Sequence, residues 1–400
     1  MKKIILFIIT AIISSNLGAQ IIHHDLKMEL KPNSNFLKVE DTINLQKPLK
    51  EISFTLHKNL NPVSLTKGIK IEKVPKDSSL KTNLFETFKL VASHKIKKFS
   101  LSYKGKIYHP LKEEAQEYSR SFSQTPGIIS KEGCYLSGSS YWYPRIKNEL
   151  VTFTLSAKLP KNFSLVTGGE RLKKSPAKTI WQSKAPLDDI ILASGKFTEY
   201  SLNDGKINFY AFLRTQDKLL AEKYLTTAKA YTNMYSELLG KYPYKKFAMV
   251  ENFWETGYGM PSFTLLGSTV IRLPLILNSS YPHEILHNWW GNSVFVDYEK
   301  GNWCEGITVY LADYLIKEQQ GKDKEYRMAA LQKYTDYVKK AKDFPLTEFK
   351  SRYSSASEAV GYGKSMMFFH MLRLKLGDKL FIDGLRHFYK KNKFFKTQIF

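Results

Sequence analysis

Cysteine is nearly absent: Cys134 and Cys304 are the only two in 400 residues. Four-thiolate zinc sites and disulfide-dense scaffolds are thereby excluded, and stability has to come from an apolar core. The two thiols are far apart in the chain and read as independent rather than bridged. Acidic residues are also scarce, 37 against 61 lysines and arginines, which leaves a formal net charge of +24. Such a charge suits an anionic partner. The lysines, however, are scattered over polar faces and turns, and no nucleic-acid-binding fingerprint accompanies them, so nucleic acid is not an expected partner. Long apolar runs are missing except at the start, where Met1-Lys2-Lys3 precedes the apolar stretch Ile4 to Ile13 and the small or polar stretch Ser14 to Ala19. That order predicts a cleaved export signal over residues 1–19, because the apolar run falls short of the ~20 residues that span a bilayer. The mature chain is then expected to be exported, periplasmic or secreted, with no transmembrane segment. Its charge is +22, the full +24 less Lys2 and Lys3.

Beyond residue 20 the pattern is alternation. Phe36 to Leu45, Ile52 to Leu56, Phe99 to Tyr103 and Val151 to Leu159 each place apolar side chains on one face, as half-buried strands do. Gly168-Gly169 and Asn203-Asp204-Gly205 are turn signals. Residues 20–205 therefore read as an all-β N-terminal domain, an antiparallel sandwich. The period changes after about residue 215. Leu219 to Leu239 repeats apolar groups every three or four residues and stops at Gly240, as a helix with a glycine end would. Extended segments at 247–251 and 262–271 precede further helical patterns at 322–340, 364–375 and 379–389. Residues 206–400 thus read as an α+β domain, and the chain as multidomain.

The chemistry concentrates in His283-Glu284-Ile285-Leu286-His287 and Trp303-Cys304-Glu305-Gly306. If 281–292 is helical, the two histidines lie one turn apart on one face and can grip one Zn²⁺. Glu284, next to that face, is placed to act as a general base. A catalytic zinc site takes a third protein ligand and leaves a position open, and Glu305 on a second helix fits that need. Its competing use is a capping box with Asn302, which would spend the carboxylate on the helix start. Each ligating imidazole needs a partner for its other nitrogen, and Thr308 and Asp313, one and two turns beyond Glu305, are candidates. Trp289 and Trp290 read as packing residues. Tyr362, in Val360-Gly-Tyr-Gly-Lys-Ser365, is a candidate hydrogen-bond donor to an oxyanion.

These residues resemble the gluzincin zinc aminopeptidases, the M1 family that includes leukotriene A4 hydrolase. The likeness runs through Leu239-Gly-Lys-Tyr-Pro-Tyr244, the segment 256–267, the H-E-x-x-H helix, Cys304-Glu305-Gly306 and Tyr362 with Lys364. It implies a saddle-shaped β domain, a thermolysin-like catalytic domain, one zinc per chain, and cleavage of peptides or protein N-termini after the first residue. It also implies His283, His287 and Glu305 as ligands, Glu284 as base and Tyr362 as oxyanion donor. Three departures stand out. The stretch 288–304 between the second histidine and the third ligand is one residue shorter than the family's usual spacing. The family's Gly-x-Met-Glu-Asn strand, whose Glu holds the substrate amino group, best matches Tyr258-Gly259-Met260-Pro261-Ser262, with the leading glycine displaced to Gly257. Gly257, Gly259 and Met260 are therefore expected to line the substrate strand without its carboxylate, and Glu132, Glu251 or Glu255 are the candidate replacements. Finally, the sequence stops at Phe400, soon after Tyr362, as in a minimal two-domain member or one lacking C-terminal modules. The expected activity is a zinc aminopeptidase. A zinc endopeptidase of limited specificity and a non-catalytic peptide-binding scaffold are the alternatives, and the oligomeric state is not legible.

Overall fold

The computed structural model describes residues 20–75, 83–113, 123–147, 149–176, 178–338 and 343–399. The expected export signal at 1–19 lies outside them. Strands dominate up to about residue 197. In Ile21–Lys31 the even-numbered Ile22, His24, Leu26, Met28 and Leu30 point into the core and most of their neighbours face outward, as a half-buried pleat requires. The alternating runs at 36–45 and 52–56 are one continuous 22-residue strand, Phe36–His57. A register shift against Phe85–Lys106 between Asn44 and Leu49 absorbs the break in the pattern, so the polar interval is an irregularity within a strand rather than a turn.

These strands belong to an eight-stranded sheet, and a four-stranded sheet contains Phe163–Thr167, Leu192–Lys196, Cys134–Leu136 and Gly127–Ile129. Leu155 and Trp181 of the larger sheet share one buried core with Leu165 and Leu192 of the smaller. The pairing is antiparallel with one exception: Ile21–Lys31 runs parallel to Leu150–Lys158. More than a hundred residues separate those two strands, ample chain for the crossover that a parallel pair needs.

A five-stranded mixed sheet opens the second domain, in the order Thr198–Asn203, Asn208–Leu213, Lys246–Asn252, Phe263–Gly267, Gly257–Met260. The Asn203-Asp204-Gly205 turn joins two strands of this same sheet, so the chain enters it at Thr198, a few residues before the expected break at 205. The helix Lys218–Leu239 starts where the Asp217 side chain accepts from the Leu220 amide at 2.9 Å and ends at Gly240, which sits at φ +114°. It buries Ala221, Tyr224, Leu225, Ala228, Thr232, Tyr235 and Leu239, the stripe its periodicity predicted. The remaining helices are Ser280–Leu286, Cys304–Val309 continuing to Gln319, Asp323–Tyr337, Ser355–Glu358 continuing to Leu376, and Asp378–Asn392. Lys396–Thr397 pairs with Phe295–Val296, and Trp303 Nε1 donates to the Thr397 carbonyl at 3.0 Å, tying the end of the described chain to the segment between the two motif helices. No helix of the described residues is long and apolar enough to cross a membrane. The architecture is thus a β-sheet-rich N-terminal domain followed by an α+β domain.

One feature of the first domain sets an acid limit on stability. His57 is fully buried, with its Nε2 2.9 Å from that of His109. Burial, followed by the charges of His109 and Lys58, lowers its pKa from 6.5 to about 4. Above pH 6.5 neither the folded nor the unfolded chain protonates it. Between 6.5 and about 4 the unfolded chain takes up the proton and the folded chain resists, so stability is lost as pH falls through that window. The urea midpoint is expected to drop between neutral pH and about pH 4.5, with His57→Gln flattening the drop, as pH-dependent chemical denaturation measures.

Candidate active site

The H-E-x-x-H helix is shorter than its sequence pattern: it ends at Leu286. Gly291 at φ +95° lets the chain fold back, with the Gly291 amide donating to the Val294 carbonyl and the Asn292 amide to that of His287. This reversal brings the Trp290 carbonyl to 3.1 Å from His287 Nδ1. A carbonyl can only accept, so Nδ1 carries the proton and His287 Nε2 holds a lone pair. His283 is fixed the same way, since its Nδ1 lies 2.8 Å from Asp313 Oδ2. The two Nε2 atoms nevertheless face each other at 3.2 Å, and Glu305 Oε2 lies 3.5 and 3.6 Å from them.

Two lone pairs and a carboxylate so close together repel unless a proton or a metal ion sits among them. Donor atoms about 2.0–2.1 Å from a tetrahedral zinc ion are separated by about 3.3–3.4 Å, which matches these three distances. The His57–His109 pair is the instructive contrast. There Nδ1 of His57 accepts from the Asn59 amide, so its Nε2 is protonated and donates to His109, and the contact needs no ion. Among the described residues, His283, His287 and Glu305 form the one cluster of three such donors, with ligand atoms all within 4.8 Å of one another. The residues fit a single zinc ion.

Glu305 is not spent on capping. Asn302 Oδ1 accepts from the Cys304 amide at 3.2 Å and leaves the Glu305 carboxylate turned to the imidazoles. Burial alone would raise this carboxyl, but His287 and His283 outweigh it and hold it well below the usual range. Asp313 reaches His283 because Tyr310–Tyr314 is a π-turn. Eight α-helical steps from Glu305 would leave Asp313 about 80° off the Glu305 face; the extra residue of a π-turn brings it back to within about 20°. Thr308, the other candidate, is buried with its hydroxyl unpartnered and does not support an imidazole. The carbonyl that orients His287 was invisible in the sequence, because any residue type at 290 would supply it.

Glu284 packs against the edge strand Gly257–Met260. A Cβ on Gly259 would meet Glu284 Oε2 at 2.6 Å, so the strand can approach this carboxylate only as glycine. Burial pushes the Glu284 carboxyl up. Tyr362 sits in a second π-turn, Ala359–Lys364, with its ring parallel to that of His283 at 6.5 Å between centroids. Burial, then the nearby Glu305 charge, holds the phenol well above its ordinary pKa and keeps it a donor. Trp289 and Trp290 are fully buried and pack on Tyr235, Tyr242, Trp303 and Tyr389 behind the ligands. Cys134 and Cys304 are both buried and unbridged.

A cleft of about 960 Å³ opens over this cluster, lined among others by Gly257, Gly259 and Met260. Pro261 and Ser262 form the tight two-residue turn between the edge strand and Phe263–Gly267, with Ser262 at φ +67°. Here the chain reverses instead of extending the strand with a carboxylate. The three acids considered as replacements lie outside the cleft lining. Glu251 is buried and accepts from the Arg214 amide and the Arg272 guanidinium at 2.7 and 2.8 Å. Glu255 accepts from the Thr269 and Val270 amides. Glu132 is exposed, 3.8 Å from Lys131.

Residues 277–399 match the model of the Peptidase family M1 domain. A search of curated proteins finds no match. Among solved structures, the M1 zinc metallopeptidase from Deinococcus radiodurans aligns with a TM-score of 0.67 at 16% identity, over 95% of this chain and 88% of that one. The fold is that of the M1 zinc metallopeptidases. A mutant of the Deinococcus protein bound to a Tyr-Ser-Ala substrate aligns with a TM-score of 0.66 at 15% identity over the same shares. Yeast leukotriene A4 hydrolase in complex with bestatin aligns with a TM-score of 0.68 at 16% identity, over 96% of this chain and 64% of that one. At these identities the likeness speaks for the fold, while the His-His-Glu triad inside the matched M1 domain supports zinc-metallopeptidase catalysis.

Asp313→Asn keeps the shape of the His283 partner and removes its charge. Zinc affinity measured by chelator competition is expected to weaken about 10–100-fold, with the fold unchanged by circular dichroism.

Proposed function

We propose that this protein is an exported zinc metallopeptidase that hydrolyses peptide bonds, acting as an aminopeptidase on peptides or protein N-termini. The observation that carries the reading is the pair of acceptor nitrogens 3.2 Å apart beside Glu305, in a cleft that also presents Glu284 and Tyr362. His283, His287 and Glu305 would hold the ion; when bound, zinc polarises a carbonyl and acidifies water. Glu284 takes the proton from the attacking water and returns it to the departing amine, a shuttle helped by a carboxyl whose pKa burial has raised. The Tyr362 phenol, held protonated, donates to the developing oxyanion, a contact worth about 3–4 kcal/mol at such sites. The edge strand Gly257–Met260 pairs only with Phe263–Gly267 among the described residues, and its outer edge suits an extended peptide backbone. A solved relative with a tripeptide substrate bound is consistent with that substrate class. Export rests on the residue 1–19 pattern alone.

The turn at Pro261–Ser262 favours a second reading, limited endopeptidase action, because the strand end carries no carboxylate for a terminal amine. Matched peptides with free and acetylated N-termini separate the two: cleavage confined to free N-termini is expected, and equal cleavage of both would establish the endopeptidase. Glu284→Gln is expected to retain one zinc per chain by metal analysis while losing turnover by at least about 10³-fold. Tyr362→Phe is expected to lower kcat about 10²–10³-fold with little change in KM. If wild type and E284Q bind zinc equally and are equally inert on a broad peptide library, the protein is a binding scaffold and not a peptidase.

A further inference from the structure

Among the described residues, five carboxylates line the cleft: Asp188, Glu284, Glu305, Asp313 and Glu358. Four are accounted for. Glu284 and Glu305 belong to the reaction site, Asp313 bonds His283, and Glu358 is held by Lys333 and by Arg352 at 3.6 Å. Asp188 is different. It comes from the first domain, on the loop between the strands Lys178–Leu187 and Leu192–Lys196.

Its neighbour Asp189 is saturated by structural partners: the Gly138 amide and the Tyr143 hydroxyl donate to it, and Arg145 pairs with it at 3.2 Å. Arg145 reaches only the backbone carbonyl of Asp188, at 3.5 Å. Among the described residues the Asp188 carboxylate has no cation within ion-pair distance, although it is partly buried. Burial, followed by the like charge of Asp189, raises its pKa to about 6, and Arg145, a hydrogen bond from its own backbone amide and Lys396 offset this only in part. A fold that merely needed an acid here would have paired it, as it paired Asp189. Tyr298 and Glu305 line the same cleft as Asp188.

We propose that Asp188 anchors a cationic group of the bound peptide, an N-terminal ammonium or a lysine or arginine side chain next to the scissile bond. The inference rests on the peptidase reading above and names the charge that reading lacks: the first domain supplies to the cleft the carboxylate that the Pro261–Ser262 turn does not. An ammonium seated there makes a charge-assisted hydrogen bond in a partly desolvated site and relieves the cost of an unpaired buried anion.

The test uses the zinc-loaded full-length protein and three matched fluorogenic peptides: one with a free α-amine and neutral side chains, its N-acetyl form, and an N-acetyl form carrying lysine beside the scissile bond. Asp188→Asn, with zinc content and melting temperature matched to wild type, is expected to raise KM for a cationic peptide at least about tenfold, to leave kcat within about threefold, and to leave calorimetric binding of the neutral acetylated peptide unchanged. Whichever cationic peptide responds identifies the source of the charge, and Asp188→Glu should recover part of the loss. Asp188→Ser serves in its place if Asp188→Asn misfolds. A KM change of less than about twofold for both cationic peptides overturns the proposal. Should the wild type cleave none of the three, the peptidase reading fails, and calorimetry of the same peptides still judges Asp188. A preference for a cationic peptide that is lost in the variant supports the anchor; equal binding, or none, rejects it.

Discussion

Two imidazole nitrogens with their lone pairs turned toward each other, and a carboxylate beside them, make an arrangement that a shared proton or a metal ion relieves. Everything around the cleft serves to hold that arrangement. The Trp290 carbonyl and Asp313 each accept a hydrogen bond from an Nδ1–H group and so leave both Nε2 atoms as acceptors. The buried aromatic cluster of Trp289, Trp290 and Trp303 stiffens the chain reversal that delivers the carbonyl. Without that reversal His287 would be free to turn over, and the electrostatic demand for a metal would vanish with it.

A second set of contacts fixes the substrate wall to the metal helix. Lys246 is fully buried, and burial holds its amine well below the usual lysine pKa; it donates to the Ser262 carbonyl at 3.0 Å. The Ser262 amide donates to Asn288 just past the H-E-x-x-H helix, and the Ser262 hydroxyl accepts from the Gly169 amide of the first domain. One turn residue therefore ties together the edge strand, the metal helix and the β domain. The same junction lets the first domain take part in the cleft, where Asp188 and Gln124 contribute to the lining.

Local patterns made much of this legible. Period-two alternation marked the strands of the first domain, and period-3.6 stripes marked Lys218–Leu239 and the late helices, because burial on one face imposes those periods directly. The H-E-x-x-H spacing placed two imidazoles one turn apart whatever the rest of the fold did. Less legible were the features made by irregular backbone. The H-E-x-x-H helix stops earlier than its apolar pattern, since a glycine in the left-handed region reverses the chain. The interval between residues 45 and 52 reads as a break and is an irregularity inside one strand. Asp313 could not be preferred to Thr308 from spacing, because regular helical geometry gives neither the right direction and the π-turn decides.

By itself the sequence determined the chemistry on offer: two histidines, an adjacent glutamate, a third acid downstream, and a strand that lacks the acid its resemblance led one to expect. These follow from residue identity and short-range spacing. Only the tertiary structure decided that Glu305 turns to the imidazoles and away from its helix cap, that Glu251 and Glu255 are consumed by backbone amides and arginines, and that Asp188 lines the cleft with no cation of the described residues within ion-pair distance. The physical reason is that the partner of a carboxylate is chosen by whatever the fold brings within hydrogen-bond reach, and for Glu305, Glu251 and Glu255 those neighbours come from other elements, 14 to 37 residues away in the chain.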